Sequence, residues 1–477
     1  MKCSGSKFVL LTCAALSCAS FSHSAVAEPK VNLSVNLKAQ VEFSDDLSLE
    51  TQDENGTDSQ TLELKTKLDG SFNEDVSFLL EARGVKNYGE GGSFDSDTGE
   101  FSGEDDYLEL RQYWVDYHGF DSYKPLSVRL GRQRFREDYG LWWNRDLDAV
   151  RLTHDATLFK SFVAIGQNLM EYRTGDGAYN EDDERILRVI GEASWQWKPE
   201  QFIEGRAAYQ NDHSGLESAG DEVDGDDFDA DDADIVWLGV RAKGTITEAV
   251  DFIEKPQYRV DVIGMAGTED SLLTTSSGEN RLVTGDEETD LRGWAVDLGL
   301  DVPVNVSPSL QPIFHVGYAY GSGDDDASDN DDHNFRQTGL DSNSSHLSGF
   351  PSSTDNYGSV LHPDLSNLHI ATVGVDVPVT DALDIAGFYH YYALAEAEGS
   401  TSVGAIDADV NGEDTDLGHG LDLMFNLDVA EQFNYDPVIA DKINLKTTLG
   451  GFRAGDAYGD AQDETALRAK IDLNVRF

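Results

Sequence analysis

Four arginines fall within eight positions of the stretch RLGRQRFRED (129–138): Arg129, Arg132, Arg134 and Arg136. Guanidinium groups are planar, permanently charged and matched to carboxylates two hydrogen bonds at a time, so such a cluster suits the holding of an anion. It stands in a chain of 477 residues with formal net charge −55, where a solvated surface would hardly need it. The bland alternative is a rim cluster paired locally with Glu137 and Asp138. Catalysis has no comparable foothold. There is no G-x-S-x-G and no H-E-x-x-H, the 11 histidines are scattered (His118, His154, His213 and His315 among them), and with 90 acidic residues an acid pair carries no information. An enzyme is not expected.

The elements that position these arginines come after a leader. Residues 1–27 combine Lys2 and Lys7, the apolar run FVLLTCAALSCASF and a small-residue AVA ending at Ala27, which reads as a signal peptide for Sec-type export. All three cysteines (Cys3, Cys13, Cys18) lie in that segment, so residues 28–477 have no thiol chemistry and no disulfides. Without the leader, 33 basic residues face 90 acidic ones. That balance disfavours nucleic acid and anionic membrane surfaces as partners.

The closing ALRAKIDLNVRF (466–477) alternates cleanly: Leu467, Ala469, Ile471, Leu473, Val475 and Phe477 against Arg468, Lys470, Asp472, Asn474 and Arg476. Period two means a strand with one apolar and one polar face. Eighteen such runs are expected, near 31–44, 61–72, 76–88, 107–118, 126–137, 148–157, 158–168, 188–199, 201–212, 234–246, 257–270, 293–305, 309–322, 367–379, 383–395, 418–429, 444–456 and 466–477. Each approaches the roughly 9–11 residues that a tilted strand needs to cross hydrocarbon. Connections after even-numbered strands are mostly brief, such as KPE, VSP and TDA. Those after odd-numbered strands are mostly long and acidic: 89–106, 169–187, 213–233, 271–292, 323–366 and 396–417. A soluble sandwich has no reason to sort loops by parity. An all-β transmembrane antiparallel barrel of about 18 strands does, with short periplasmic turns and long outer loops in a Gram-negative outer membrane.

Charge on the lipid face of such a barrel costs about 2–4 kcal/mol per Arg or Lys at the midplane, so strand charges belong to the lumen. The expected spans hold 23 of the 33 basic residues, which implies a water-filled interior. Between Gly293 and Asp428 the single basic residue is Arg336, so basic charge is expected on strands seventeen round to eleven and absent from twelve to sixteen. Parity is awkward at the arginine cluster, because Val128 and Leu130 match Arg132 and Arg134. A bulge at Gly131, or a strand leaving the bilayer there, would explain it.

The stretches YLELRQYWVDYHGF…VRLGRQRFREDYGLWW (107–143), EYRT (171–174), FRQTGLDSN with DLSNLHIAT (335–372) and GGFRAGDAYG…ALRAKIDLNVRF (450–477) resemble the alginate-export family of outer-membrane porins. The resemblance implies an eighteen-stranded pore that conducts an anionic polysaccharide or oligosaccharide past an arginine-rich constriction. By the match, Arg111, Arg134 and Glu171 stand at constriction positions with Arg173 close by. Arg132 and Arg136 accompany them, and Lys65 and Lys446 replace arginines, keeping charge but losing the planar fork. Other positions depart from the family: Gln112, Asn144 and Gly175 replace carboxylates, and Thr448 replaces an arginine. The family's arginine-bearing outer loop reads SNSSHLSGFPSSTDNYGS (342–359) without a basic residue, and the turn after strand sixteen is shorter. Another saccharide or a small anionic solute therefore stays open as cargo.

No resident cofactor is expected. The acidic stretches 221–234 and 323–332 could bind Ca²⁺, which leaves a rival reading, a non-conducting adhesive or structural barrel with calcium-binding loops. DADVNG (407–412) begins like an EF-hand loop but has Gly418 at the twelfth position. SWQWKP (194–199) suits an interfacial girdle better than sugar stacking. The partners expected are outer-membrane lipid, the anionic saccharide and, for secretion, a periplasmic assembly.

Overall fold

A computed structural model describes residues 30–49, 56–89, 93–95, 100–102, 106–169, 173–174, 185–224, 230–247, 253–277, 280–307, 310–326, 329–346, 350–398, 406, 408–433 and 440–477. The expected leader, 1–27, lies outside these residues, as does Glu171. Within them eighteen long strands form one closed antiparallel barrel: β1 (Lys30–Asp45), β2 (Thr57–Ser71), β3 (Val76–Gly89), β4 (Tyr107–Tyr117), β5 (Leu126–Arg136), β6 (Asn144–Asp155), β7 (Phe159–Gln167), β8 (Ile186–Lys198), β9 (Gln201–Asp212), β10 (Asp231–Thr245), β11 (Gln257–Ser277), β12 (Asn280–Pro303), β13 (Ile313–Gly321), β14 (Leu368–Thr380), β15 (Leu383–Leu394), β16 (Asp416–Asp428), β17 (Lys442–Ala454) and β18 (Thr465–Arg476). The seam closes between β1 and β18, from Asn36 opposite Arg476 to Asp45 opposite Leu467.

The period-two pattern sorts inside from outside as expected. On β2, Leu62 and Leu64 are exposed on the exterior while Glu63 is buried in the lumen. The same holds on β10 for Leu238 and Val240 against Arg241, and on β16 for Leu421 and Leu423 against Asp422. An exterior of exposed Leu, Val and Ile over a charged interior inverts a soluble protein, and it is what a lipid-facing wall requires. Trp195 and Trp197 are exposed on the outer face of β8 beside a short turn. That position is a girdle position.

Two features depart from the expected connections. The stretch 271–292 forms no free loop: β11 and β12 continue pairing from Thr268↔Asp290 out to Ser277↔Asn280. Backbone pairing extends this hairpin beyond the apolar band without any need for alternation. The second departure lies at the arginine cluster. β4 pairs with β5 only as far as Tyr113↔Arg132, and β6 pairs with β7 only from Asp148↔Gln167 onward, whereas β5 and β6 stay paired to Arg136↔Asn144. The tip of this hairpin, 133–147, is therefore detached from the strand ladders of both neighbours and folds into the barrel. Gly131 makes the bend at φ +116°, where a Cβ would strike the Tyr113 carbonyl. The parity conflict has another origin than the expected bulge: pairing runs through Gly131 without a register shift, and the strand leaves the barrel wall by turning into the lumen.

Once inside, the hairpin presents two faces. Phe135, Leu141, Trp142, Trp143 and Leu147 are buried against Trp237, Ile263 and neighbouring wall residues. Gly239 of β10 leaves room for the Trp142 ring. The segment after β13 also turns inward. Asn144 N–H donates to the Leu340 carbonyl, Ser342 N–H to the Gly140 carbonyl at 2.8 Å, and Asn356 Nδ2 to the Tyr139 carbonyl at 2.7 Å. Leu340, Tyr357, Val360, Leu361 and Leu365 complete an apolar core inside the barrel. Arg336, expected in this long connection, ties its root to the wall through Glu269 of β11 at 2.5 Å and Asp332 at 2.7 Å.

Candidate functional site: a lumen with one basic wall

The inward hairpin reaches through the lumen to the wall at β10 and β11. Glu137 meets Arg241 of β10 at 2.5 Å, Asp138 meets Lys243 at 2.5 Å, and Asp261 of β11 holds the other side of the Arg241 guanidinium at 2.5 Å. Burial alone would push the Glu137 carboxyl up, but Arg241 and then Arg206 outweigh it and hold it at about 2. Basic charge on β9 to β11 is thus spent on neighbours: Arg206 on Glu192 and Glu204 at 2.8 and 2.6 Å, and Arg259 on Asp297 at 2.6 Å.

Opposite this closed half runs a cavity of about 480 Å³. Its lining includes eight cations: Lys38, Lys65, Arg111, Arg134, Arg136, Lys442, Lys446 and Arg476, from β1, β2, β4, β5, β17 and β18. Two carboxylates, Glu81 and Asp472, face them, so the lining is strongly positive in a chain of formal charge −55. Arg111 and Arg134 share Asp146, at 3.0 and 3.2 Å, and Arg134 also donates to Asn144 Oδ1 at 2.7 Å. Lys65 pairs with Glu63 at 3.3 Å and Lys38 with Asp472 at 3.6 Å. Arg136, Lys442 and Arg476 form no ion pair with the described residues. The remaining side of the cavity is the inserted segment, through His346, Pro351, Ser352 and Ser353, and Lys446 Nζ donates to the Ser353 carbonyl.

Of the residues expected at a constriction, Arg111, Arg134, Arg136, Lys65 and Lys446 line this one cavity. Arg132 does not; it is buried behind it, donating to Asp148 at 3.4 Å and to Asn168 Oδ1 at 3.2 Å. The Arg173 backbone pairs antiparallel with that of Glu109, and its guanidinium lies 3.7 Å above the Tyr107 ring centroid, also outside the cavity lining. Arg129 packs 3.8 Å above the Trp114 ring and pairs with Asp116 at 2.9 Å. Sequence reasoning passed over Lys38 and Arg476, which alternate onto the lumen faces of expected strands, and Lys442, which fell in the expected turn before strand seventeen; His346 and the serines gave no signal.

Above the cavity, Ser359 Oγ donates to Asp422 of β16, and Arg468 Nη1 of β18 donates to the Ser359 carbonyl at 3.0 Å. At the root of the segment, ligand atoms of Asp324, Asp325 and His333 lie within 4.8 Å of one another. One imidazole and two carboxylates fall short of the six to eight oxygens that calcium takes, so this group lends little to a calcium site. The other stretch considered, 221–234, is only partly among the described residues.

An even-stranded closed barrel with an apolar exterior and a charged, partly plugged lumen is a porin-type protein of the outer membrane. Solved structures agree on the fold: Acinetobacter baumannii OccAB1 matches with TM-score 0.53 at 12% identity, covering 94% of this chain and 96% of that one. Pseudomonas aeruginosa OccK2 (OpdF), solved in complex with glucuronate, matches with TM-score 0.53 at 8% identity over 94% and 98%. The chain belongs to the alginate export family, whose profile matches residues 30–472. It is 30% identical over 395 residues to the alginate production protein AlgE of Pseudomonas aeruginosa, covering 80% of this chain and 78% of that protein. The AlgE protein of Pseudomonas syringae pv. tomato is 26% identical over 78% and 76%.

Proposed function

We propose that this barrel passes an anionic polysaccharide or oligosaccharide across the outer membrane, a uronate polymer of the alginate kind first among them. One observation carries the reading: eight cations against two carboxylates around a lumen cavity of so acidic a chain. Several moderate sites in a row let a chain of carboxylates bind and move on, where one tight site would arrest it. Arg111 and Arg134 offer forks, and Lys65 and Lys446 offer point charges. Arg136 offers its guanidinium without a competing carboxylate among the described residues. In this reading Arg132 supports the bend, while Arg173 belongs to the approach. Transport is passive, no residue is assigned a catalytic role, and export would draw the polymer from a periplasmic assembly.

The test is the reversal potential of the purified protein in a planar bilayer under a KCl gradient, with and without alginate oligomers. Anion selectivity with oligomer block is the expected result. Anion selectivity without block would leave a small anionic solute as cargo. Absence of conductance would overturn transport in favour of an adhesive or structural barrel.

A further inference from the structure

The cations of the cavity are interleaved with side-chain amides, and the strand register orders them. Across β17, β18 and β1, Lys442 stands opposite Arg476, which stands opposite Asn36. Two residues further into the barrel, Asn444 stands opposite Asn474, which stands opposite Lys38. All six line the cavity. Rows two residues apart on a strand are roughly 6.8 Å apart, so a row of two cations and an amide is followed at once by a row of two amides and a cation. The Asn36 and Asn474 amides make no side-chain hydrogen bond with the described residues. Asn444 Nδ2 donates to Asn426 Oδ1 at 2.8 Å, and Asn444 Oδ1 is buried with no donor among the described residues.

A polyuronate brings more than charge to this wall. Each ring carries hydroxyls beside its carboxylate. Stripped of water, a hydroxyl needs an acceptor for its proton as well as a donor for its lone pairs. Lysine and arginine only donate. Of the two carboxylates in the lining, Asp472 faces Lys38 at 3.6 Å and Glu81 lies on β3, two strands beyond β1. The acceptors within these rows are therefore the amides, which also donate. We infer that Asn36, Asn444 and Asn474 read the hydroxyls of the sugar rings while the neighbouring cations hold the carboxylates, so that the channel prefers a hydroxylated polyanion to a bare polycarboxylate of equal charge. The inference rests on the polysaccharide reading above and assigns part of its specificity to three neutral residues.

The measurement is block of the single-channel current by two probes of equal charge, a mannuronate hexamer and an acrylate hexamer, at a pH that ionises both fully. The mannuronate hexamer is expected to block at a concentration lower by about tenfold, the size of two ordinary hydrogen bonds made to hydroxyls that the acrylate lacks. N36A and N474A, on different strands, should each bring that ratio down to about threefold, and the double variant should bring it to about one. N474Q, which keeps the amide, should retain most of the preference. Heat-modifiable migration of each variant checks that the barrel is formed. Equal block by the two probes in wild type, or a tenfold preference that survives in the double variant, would overturn the amide assignment and leave the polysaccharide reading standing. Absence of block by the mannuronate hexamer would remove the polysaccharide reading itself.

Discussion

Glu137 and Arg241 are 104 positions apart in sequence and 2.5 Å apart in space, one on the tip of an inward hairpin and the other on β10, five strands round the wall of the barrel. This contact braces the hairpin across part of the lumen. It divides the interior into a half closed by paired charges and apolar packing, and a half left open with cations on one wall.

The pH behaviour of the span follows from Glu137. Its carboxyl is held at about 2 against an ordinary 4.5, so its contribution is fully present above about 4.5 and is lost as pH falls toward 2. Wild-type conductance should be steady from neutrality down to that window and then rise as the hairpin comes loose. E137Q should conduct more at neutral pH and lose the acid step, since removing one partner of a buried pair costs about 3–5 kcal/mol. An unchanged acid step in E137Q would rule this group out.

Asp341 works in the opposite sense. Burial, then the neighbouring Asp364, raises its carboxyl well above the ordinary range. The packed segment retains a proton that the released one gives up, so its packing weakens as pH rises from the ordinary carboxylate range toward the raised value. Protease cleavage within 337–367 should quicken over that rise in wild type, and D341N should flatten the dependence.

The arginine cluster can be split by mutation. Arg136 lines the cavity, whereas Arg132 is buried behind it on Asp148. R136A should lower the anion-to-cation ratio about fourfold, the effect of one charge ~10 Å from the passing ion at the dielectric of water, about 80, which is roughly twofold on the anion and twofold in the opposite sense on the cation, and leave stability alone. R132A should leave selectivity near wild type and lower the melting temperature, because Asp148 loses its cation.

Gly131 is the hinge on which the inward fold turns. G131A places a Cβ on the Tyr113 carbonyl at a φ of +116°, a strain of about 1–3 kcal/mol. The expected outcome is a larger, noisier conductance from a barrel that still shows heat-modifiable migration. Wild-type conductance in G131A would mean the bend tolerates a side chain.

Much of the wall was legible because membrane strands write their burial into alternation: Leu62, Glu63, Leu64 and Lys65 say which side is which without help. The extended β11–β12 hairpin was not, since Thr274, Thr275 and Asp286 sit beyond the lipid and pair through the backbone alone. The contents of the lumen were half legible. The parity conflict between Leu130 and Arg132 pointed to Gly131, and GLWW (140–143) is too apolar for an outer loop. Leu340, Tyr357, Leu361 and Leu365 carry no period at all, because an irregular segment packs by shape and has no repeat to betray it. Lys38 and Arg476 fell on lumen faces in plain view, whereas Lys442 sat in an expected turn; which cations share one cavity depended on how the inserted hairpin divides the space.

The packing inside the barrel also dictates an order of assembly. The Tyr139 carbonyl is bonded to Asn356, 217 positions on, and the Ser359 carbonyl to Arg468 of the last strand, whose guanidinium also holds Glu42 of the first at 2.5 Å. The inner core therefore cannot be finished before β18 arrives, and once the β1–β18 seam has shut there is no side door through which to fill it. Threading and closure are a single late event of very high contact order.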